Sequence, residues 1–245
     1  MVIFWEKGTA MPFHISSRFL KYFKGFCSSP EIIMLFVYMK CRFSLSYREL
    51  EEMAIIKGVA IDHATFQRWV IKFVRIIEMQ VRKHKKPVGS SWRMDETYIK
   101  VNGIWMYLYR AVDSMGNTVD FLLRKHRDGA AAKAFFRRAF KQNCTPKKVT
   151  IDKSGSNLMA LNSVNAALPK EQQIEIRQIK YLNNIMEQDH RFVKKRTRPM
   201  LGFKSLRSAK ITIAGIECIH MITKRQIVGA NDNVSIFENF VTMMA

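Results

Sequence analysis

The sequence predicts an α/β layer fold preceded by a helical region, and three observations point to it. Apolar residues recur at helical spacing through residues 31–80 and change to strand-like runs after residue 91. A basic segment containing Pro, Gly and Ser, "RKHKKPVGSS" (82–91), marks the change. Beyond it come three strand-like runs, a helix, a fourth strand and further helices, which is the order of an α/β layer protein.

Residues 1–30 carry no clear pattern and are assigned no function; Met11 offers an alternative start. "PEIIMLFVYMKCRF" opens on Pro30 and Glu31, a favourable helix start. In "SLSYRELEEMAIIKG", Ser46 and Glu49 have the spacing of a capping box, and Gly58 ends the helix. Asp62 is the next N-cap candidate. It precedes "HATFQRWVIKFVRII", where Phe66, Trp69, Val70 and Phe73 share one face. Two helices about a glycine-containing turn, the second presenting His63, Gln67 and Arg68, make a helix-turn-helix candidate. An ordinary helical hairpin is the plainer alternative. The basic linker reads either as a solvated hinge or as a strap against phosphates.

"WRMDETYIKV", "WMYLYRAVDS" and "TVDFLLRKH" follow as strands, separated by the turn signals Asn102-Gly103 and Ser114–Asn117. "DGAAAKAFFRRAFKQ" is a helix capped at Asp128, and "PKKVTIDKS" is a short buried strand ending in Asp152. "SGSN" (154–157) is a turn, "NLMALNSVNAAL" a helix, and "IEIRQIKYL" another strand. "NNIMEQDHRFVKKRTR" reads as a helix stopping before Pro199, and "SLRSAKITIAGIECIHMITKRQ" as a last helix.

With 41 Lys and Arg against 20 acids, the 245-residue chain carries a formal net charge of +21. A surplus of that size favours polyanionic partners. Its longest apolar run, "IIMLFVYM", is too short for a bilayer, and no secretory signal is expected. The four cysteines form no C-x-x-C pair, which fits a reducing cytoplasm.

Three acids at element ends invite chemistry in so basic a chain. Asp95 lies in the first strand, Asp152 ends the fourth, and Glu187 is on a helix. If the fourth strand lies beside the first, Asp95 and Asp152 project together, and a helix packed across the sheet can bring Glu187 to them. Such a trio would hold two Mg²⁺ or Mn²⁺ ions, which prefer oxygen ligands and support phosphoryl transfer. Caps and surface acids are the plainer reading of the same residues. Strand alternation sends Glu96 to the side opposite Asp95, in a structural role. Near Glu187, Asp189 is turned away, whereas His190, Arg191 and Lys194 lie on the Glu187 face at +3, +4 and +7. Lys194 is placed to touch a DNA phosphate. No H-E-x-x-H, G-x-S-x-G or P-loop is present, so protease, hydrolase and NTPase readings lack support.

"SYRELEEM…GVAIDHATFQRWV", "MDETYIKVNG", "YLYRAVDSMGNTVDFLLRKHRD", "IDKSGSN" and "IKYLNNIMEQDHRFVKKRTRPMLGFKS" together resemble the bacterial insertion-sequence transposases of family six, over residues 23–226. The resemblance implies an integrase-like, RNase H-like catalytic domain (a mixed sheet flanked by helices) with a D, D, E triad and 34 residues between the last two acids. Here 34 residues separate Asp152 from Glu187 (187 − 152 − 1). It therefore assigns Asp95, Asp152 and Glu187 as the triad and metal ligands, with Lys194 as the basic residue seven positions on. It also implies a helix-turn-helix that reads terminal inverted repeats, strand transfer through a cointegrate, and action as a homo-oligomer, at least a dimer.

The expected organisation is an N-terminal extension (1–30), a helix-turn-helix domain (31–80), a linker (81–91), the catalytic domain (92–226) and a tail (227–245). The expected function is Mg²⁺-dependent nicking and strand transfer of double-stranded DNA, in the bacterial cytoplasm at the nucleoid and not at a membrane. DNA contacts are expected from His63, Gln67, Arg68, Arg191 and Lys194. Two rivals remain: a DNA-binding regulator with a vestigial triad, and an RNase H-type nuclease that cuts hybrids without joining.

Overall fold

The computed structural model describes residues 14–153, 155–179 and 184–244. Met11, the start of the last-but-one expected helix at Asn183 and the end of the strand expected over 174–182 lie outside them. In chain order the elements are α1 (Ser17–Leu20), α2 (Pro30–Arg42), α3 (Tyr47–Ile56), α4 (His63–His84), β1 (Ser91–Val101), β2 (Ile104–Asp113), β3 (Thr118–Arg124), α5 (Gly129–Asn143), β4 (Lys148–Ile151), α6 (Gly155–Asn165), β5 (Glu175–Gln178), α7 (Asn184–Thr197), α8 (Leu206–Thr223) and α9 (Ile236–Met244). Among the described residues, those up to Lys85 form one compact unit with those from Arg207 onward, and those between Lys86 and Leu206 form a second.

The first unit is helical. Ser29 accepts from Ile32 N and Pro30 occupies the first position of α2, as its sequence predicts. Ser46 and Glu49 form a reciprocal capping box on α3, so two otherwise orphaned N–H groups find partners. Asp62 caps α4 by accepting from Thr65 N at 2.9 Å. Phe66, Trp69, Val70 and Phe73 are buried, as their spacing requires, and α4 runs on to His84, into the segment read as linker. Helix α8, expected within the catalytic domain, and α9, expected in the tail, belong to this unit. A Cβ at Gly215 of α8 would collide with Cys41 Sγ of α2 and lie 3.1 Å from Val74 Cγ2 of α4. The glycine is what lets the three helices approach.

The second unit is built on a five-stranded sheet in the order β3-β2-β1-β4-β5. Strands β1, β2 and β3 are antiparallel neighbours, while β4 runs parallel to β1 and β5 parallel to β4. The first hairpin turns on Asn102 and Gly103, both at positive φ (49° and 77°), the backbone that an Asn-Gly turn supplies most readily. Asp113 fixes the second turn by accepting from the N–H groups of Met115 and Asn117, each at 2.9 Å. Trp92 and Met94 of β1, Tyr109 and Ala111 of β2, Phe135 and Phe136 of α5, and Leu161 of α6 form a shared core. Asp95 is paired across the ladder with Arg110, and strand alternation puts both on the opposite face. There the Arg110 guanidinium meets Asp189 of α7 at 2.6 Å. Helices thus cover both faces of a mixed sheet with three antiparallel and two parallel strands. This is the RNase H-like α/β arrangement that the resemblance implies.

Candidate active site

Strand register brings the first two acids together. In the parallel β1–β4 ladder Ser91 pairs with Lys148, an offset of 57 (148 − 91). The gap from Asp95 to Asp152 is the same 57 (152 − 95), so the ladder, continued two steps past its last pair, Arg93 with Thr150, sets these residues side by side. Carboxylate oxygens of Asp95, Glu96 and Asp152 lie within 4.8 Å of one another.

The presence of Glu96 in that cluster departs from strand alternation, which predicts it on the far side in a structural role. Alternation does direct Glu96 toward the face covered by α5 and α6, where Asn157 of α6 donates to its Oε1 at 3.0 Å. Asp152, however, stands beyond the end of β4, at the margin where both faces meet. Asn157 also donates to Asp152 Oδ1 at 3.4 Å, and Arg127 spans Glu96 (3.3 Å) and Asp152 (3.1 Å). Glu96, Arg127 and Asn157 are the site residues that the sequence reading misses. "SGSN" reads as a turn, yet Gly155 opens α6 and Asn157 is wholly buried on it; Ser154 lies outside the described residues. The one signal available for Arg127 is its place beside the Asp128 cap in the charged run "KHRD".

Burial, with Glu96 and Asp152 adding like charge, pushes the Asp95 carboxyl up to about 6. Burial also raises Glu96, against the opposing pull of Arg127 and Asn157. For Arg127, partial burial works against the charge, but the Glu96 carboxylate outweighs it and raises the guanidinium above its usual value. A crowded set of hard oxygen donors whose protonation is favoured by their own repulsion suits a divalent cation, which would relieve that repulsion.

Glu187 is exposed in the first turn of α7 and stands outside the 4.8 Å cluster. Its helix is tied to the sheet through Asp189 and Arg110, and Arg110 is the cross-strand partner of Asp95. Asp189 and His190 are buried and Arg191 is exposed, so of the residues at +3 and +4 from Glu187 Arg191 shares its exposure and His190 does not. Burial first, then the charges of Arg110 and Lys194, hold His190 down at about 3, in its neutral form. Lys194 is half-buried on α7. In the helical unit Gln67 and Arg68 are exposed on α4, and Thr65 Oγ1 accepts from Arg68 at 2.6 Å. His63 Nδ1 sits 3.0 Å from Glu51, linking α4 to α3.

A family model described as "DDE domain" matches residues 89–226. The transposase for insertion sequence-like element IS431mec of Staphylococcus aureus is 40% identical over 207 residues, covering 84% of this chain and 90% of that protein. The Staphylococcus aureus transposase for insertion sequence element IS257 in transposon Tn4003 matches to the same extent, 40% over 207 residues. This chain belongs to the family-six insertion-sequence transposases. Among solved structures, the HTLV-2 integrase catalytic core domain in its dimeric form with magnesium is similar at a TM-score of 0.46 and 13% identity, covering 63% of this chain and 97% of that one. The strand order, not this score, carries the fold assignment. The matched DDE region begins just ahead of β1 and contains all three spaced acids. The family's use of a divalent metal agrees with the oxygen-only donor set. No helix among the described residues is long and apolar enough to cross a membrane.

Proposed function

We propose that this transposase binds the terminal inverted repeats of its own insertion sequence, nicks the element's ends and joins them to target DNA through a cointegrate. It acts as a homo-oligomer, at least a dimer, on DNA in the bacterial cytoplasm. The observation that carries this reading is the matched offset of 57 between the β1–β4 register and the Asp95–Asp152 spacing.

Asp95, Asp152 and Glu187 are the residues assigned to hold Mg²⁺, with Mn²⁺ as a substitute and two ions in the working site. When bound, such ions polarise phosphate oxygens and make water a stronger nucleophile. The chain's own residues do the rest by positioning and by meeting developing charge. Asn157 and Arg127 orient Glu96 and Asp152. Lys194, seven residues after Glu187, is assigned to the phosphate being cut. Water opens the element's end, and the freed 3′-hydroxyl then attacks the target phosphate in line. His63, Gln67 and Arg68 at the start of α4 are assigned to the repeats, His63 also contacting Glu51, with Arg191 on backbone phosphates.

Purified protein, labelled inverted-repeat ends and Mg²⁺ should give nicked and joined products, and Asp152→Asn should reduce both to background. Full activity in that variant sinks the triad assignment. One observation favours a rival, the DNA-binding regulator: Arg127 pairs with both Glu96 and Asp152. End binding with no metal-dependent cleavage would select it.

A further inference from the structure

The β1–β2 hairpin exposes two aromatic rings, Tyr98 and Trp105, beside the half-buried Tyr107, which packs against the core of the sheet. Tyr98, Lys100, Trp105 and Tyr107 share one face, because Tyr98 pairs with Tyr107 and Lys100 with Trp105 across the ladder. This is also the face of Trp92 and Met94, which α5 and α6 cover only at the other end of the strands. Tyr98 is 53% exposed and Trp105 57%. The Tyr98 ring centroid lies 5.4 Å from that of Tyr107 and 6.4 Å from that of Trp105, and Lys100 Nζ stands 5.9 Å from the Trp105 ring.

These rings form one wall of a groove of about 720 Å³. Lys194 and Arg198, near the end of α7, and the segment Leu201–Phe203 form the other wall. That segment is strapped to β1: Phe203 N donates to Lys100 O at 2.9 Å, and Gly202 is at φ 101° with no room for a side chain, since a Cβ would sit 3.1 Å from Lys100 O. The volume falls in the ~300–1,000 Å³ range of ligand sites. Three cations beside solvent-facing aromatic rings match the requirements of unpaired nucleotides, whose bases stack and whose phosphates need positive charge. A duplex has no ring to offer such a groove, because its bases are already stacked on one another.

We propose that this groove holds unpaired nucleotides of the DNA end, with a base stacked on Tyr98 and Trp105 and its phosphate at Lys100 and Arg198. The proposal rests on the transposase reading and deepens it. Tyr98 stands two residues from Glu96 on the same face of β1, so a nucleotide held there lies ~7 Å along the strand from that carboxylate, the member of the acidic cluster on this face, within reach of a strand that enters the site. The groove would thereby capture a splayed terminal base and fix the scissile phosphate relative to the carboxylates.

The test uses the full chain in Ca²⁺ buffer with inverted-repeat ends carrying a short 3′ single-stranded extension, compared with blunt ends. With 5-iodouracil in the extension, irradiation should cross-link to Tyr98, Trp105 or Tyr107. Trp105→Ala should weaken binding of the extended end about tenfold, the effect of losing one stacked base, while leaving blunt-end affinity unchanged. Trp105→Phe, which keeps a ring, should recover most of the loss and guards against misfolding. Cross-links that map elsewhere while extended ends still bind overturn the groove and leave the transposase reading standing. Failure to bind any inverted-repeat end overturns both. A change of oligomeric state in Trp105→Ala, with cross-linking elsewhere, overturns the proposal in favour of a protein interface.

Discussion

Asp95 is the residue at which the sequence poses a choice, since an acid stands directly after it. Its carboxyl is pushed from an ordinary 3.8 to about 6 by burial and then by Glu96 and Asp152. A raised carboxyl means that the folded state binds the proton more tightly than the unfolded chain. The contribution of Asp95 to the stability of the metal-free protein is therefore full below about pH 4 and is lost as pH rises through 6. Asp95→Asn removes a charge that the fold disfavours. The metal-free variant should melt a few degrees above wild type at pH 8 and close to it at pH 4, as followed by scanning fluorimetry. Added Mg²⁺ should raise the wild-type melting temperature at pH 8 and do so far less in the variant. A destabilised Asp95→Asn at pH 8 would falsify this electrostatic picture. At this scale the sequence makes Asp95 and Asp152 legible, because strand offset is a matter of counting. It conceals Glu96, whose direction along β1 is predicted correctly but whose contact with Asp152 depends on where β4 stops.

Helix α7 carries Glu187 and Lys194, and its seating depends on a buried ion pair rather than on apolar periodicity alone. Arg110 and Asp189 are 1% and 6% exposed at the side chain, 2.6 Å apart. Arg110→Met strands a buried carboxylate, and breaking such a pair costs ~3–5 kcal/mol. Urea unfolding should show a loss of that order, with end cleavage falling in parallel as α7 loosens. The double variant Arg110→Met/Asp189→Leu should recover most of the stability, since a well-packed apolar pair replaces a buried pair at little cost. If the double variant is as unstable as the single one, the ion pair is not what seats the helix. The strands and helices of this unit were readable from alternation, turn residues and caps: Asn102-Gly103, Asp128 and the run ending at Asp152 all behave locally. Arg110 reads as an ordinary position in "YLYRAVD", and only the packing of a helix 79 residues further on (189 − 110) gives it a purpose. Side chains that act across such separations leave no local pattern.

The helical unit is closed by a segment distant in sequence, and the chain's charge is expressed only when DNA is present. Gly215 of α8 admits no side chain against Cys41 and Val74, so Gly215→Ala should cost ~1–3 kcal/mol by overpacking. For a chain of this size that is about 2–4 °C in melting temperature per kcal/mol. A melting temperature equal to wild type would show that the neighbours yield freely. The net charge of +21 makes a sharper statement. Each phosphate neutralised by Lys or Arg releases counterions, so affinity for DNA falls as a power of salt concentration. A protein making ~6–10 such contacts loses ~10³–10⁵-fold between 50 and 200 mM salt. Binding to an unrelated duplex should follow that slope, and so should most of the binding to the inverted repeats, the difference between the two being the part read from bases. Arg68 is exposed on α4 beside its cap. If it meets a phosphate there, Arg68→Ala lowers affinity for both DNAs alike and reduces the salt slope by about 1. Titrations at four salt concentrations measure both quantities. Unchanged affinity for the ends at physiological salt removes α4 as the docking helix, whereas a loss confined to the repeat sequence, with the slope intact, reassigns Arg68 from the backbone to a base edge.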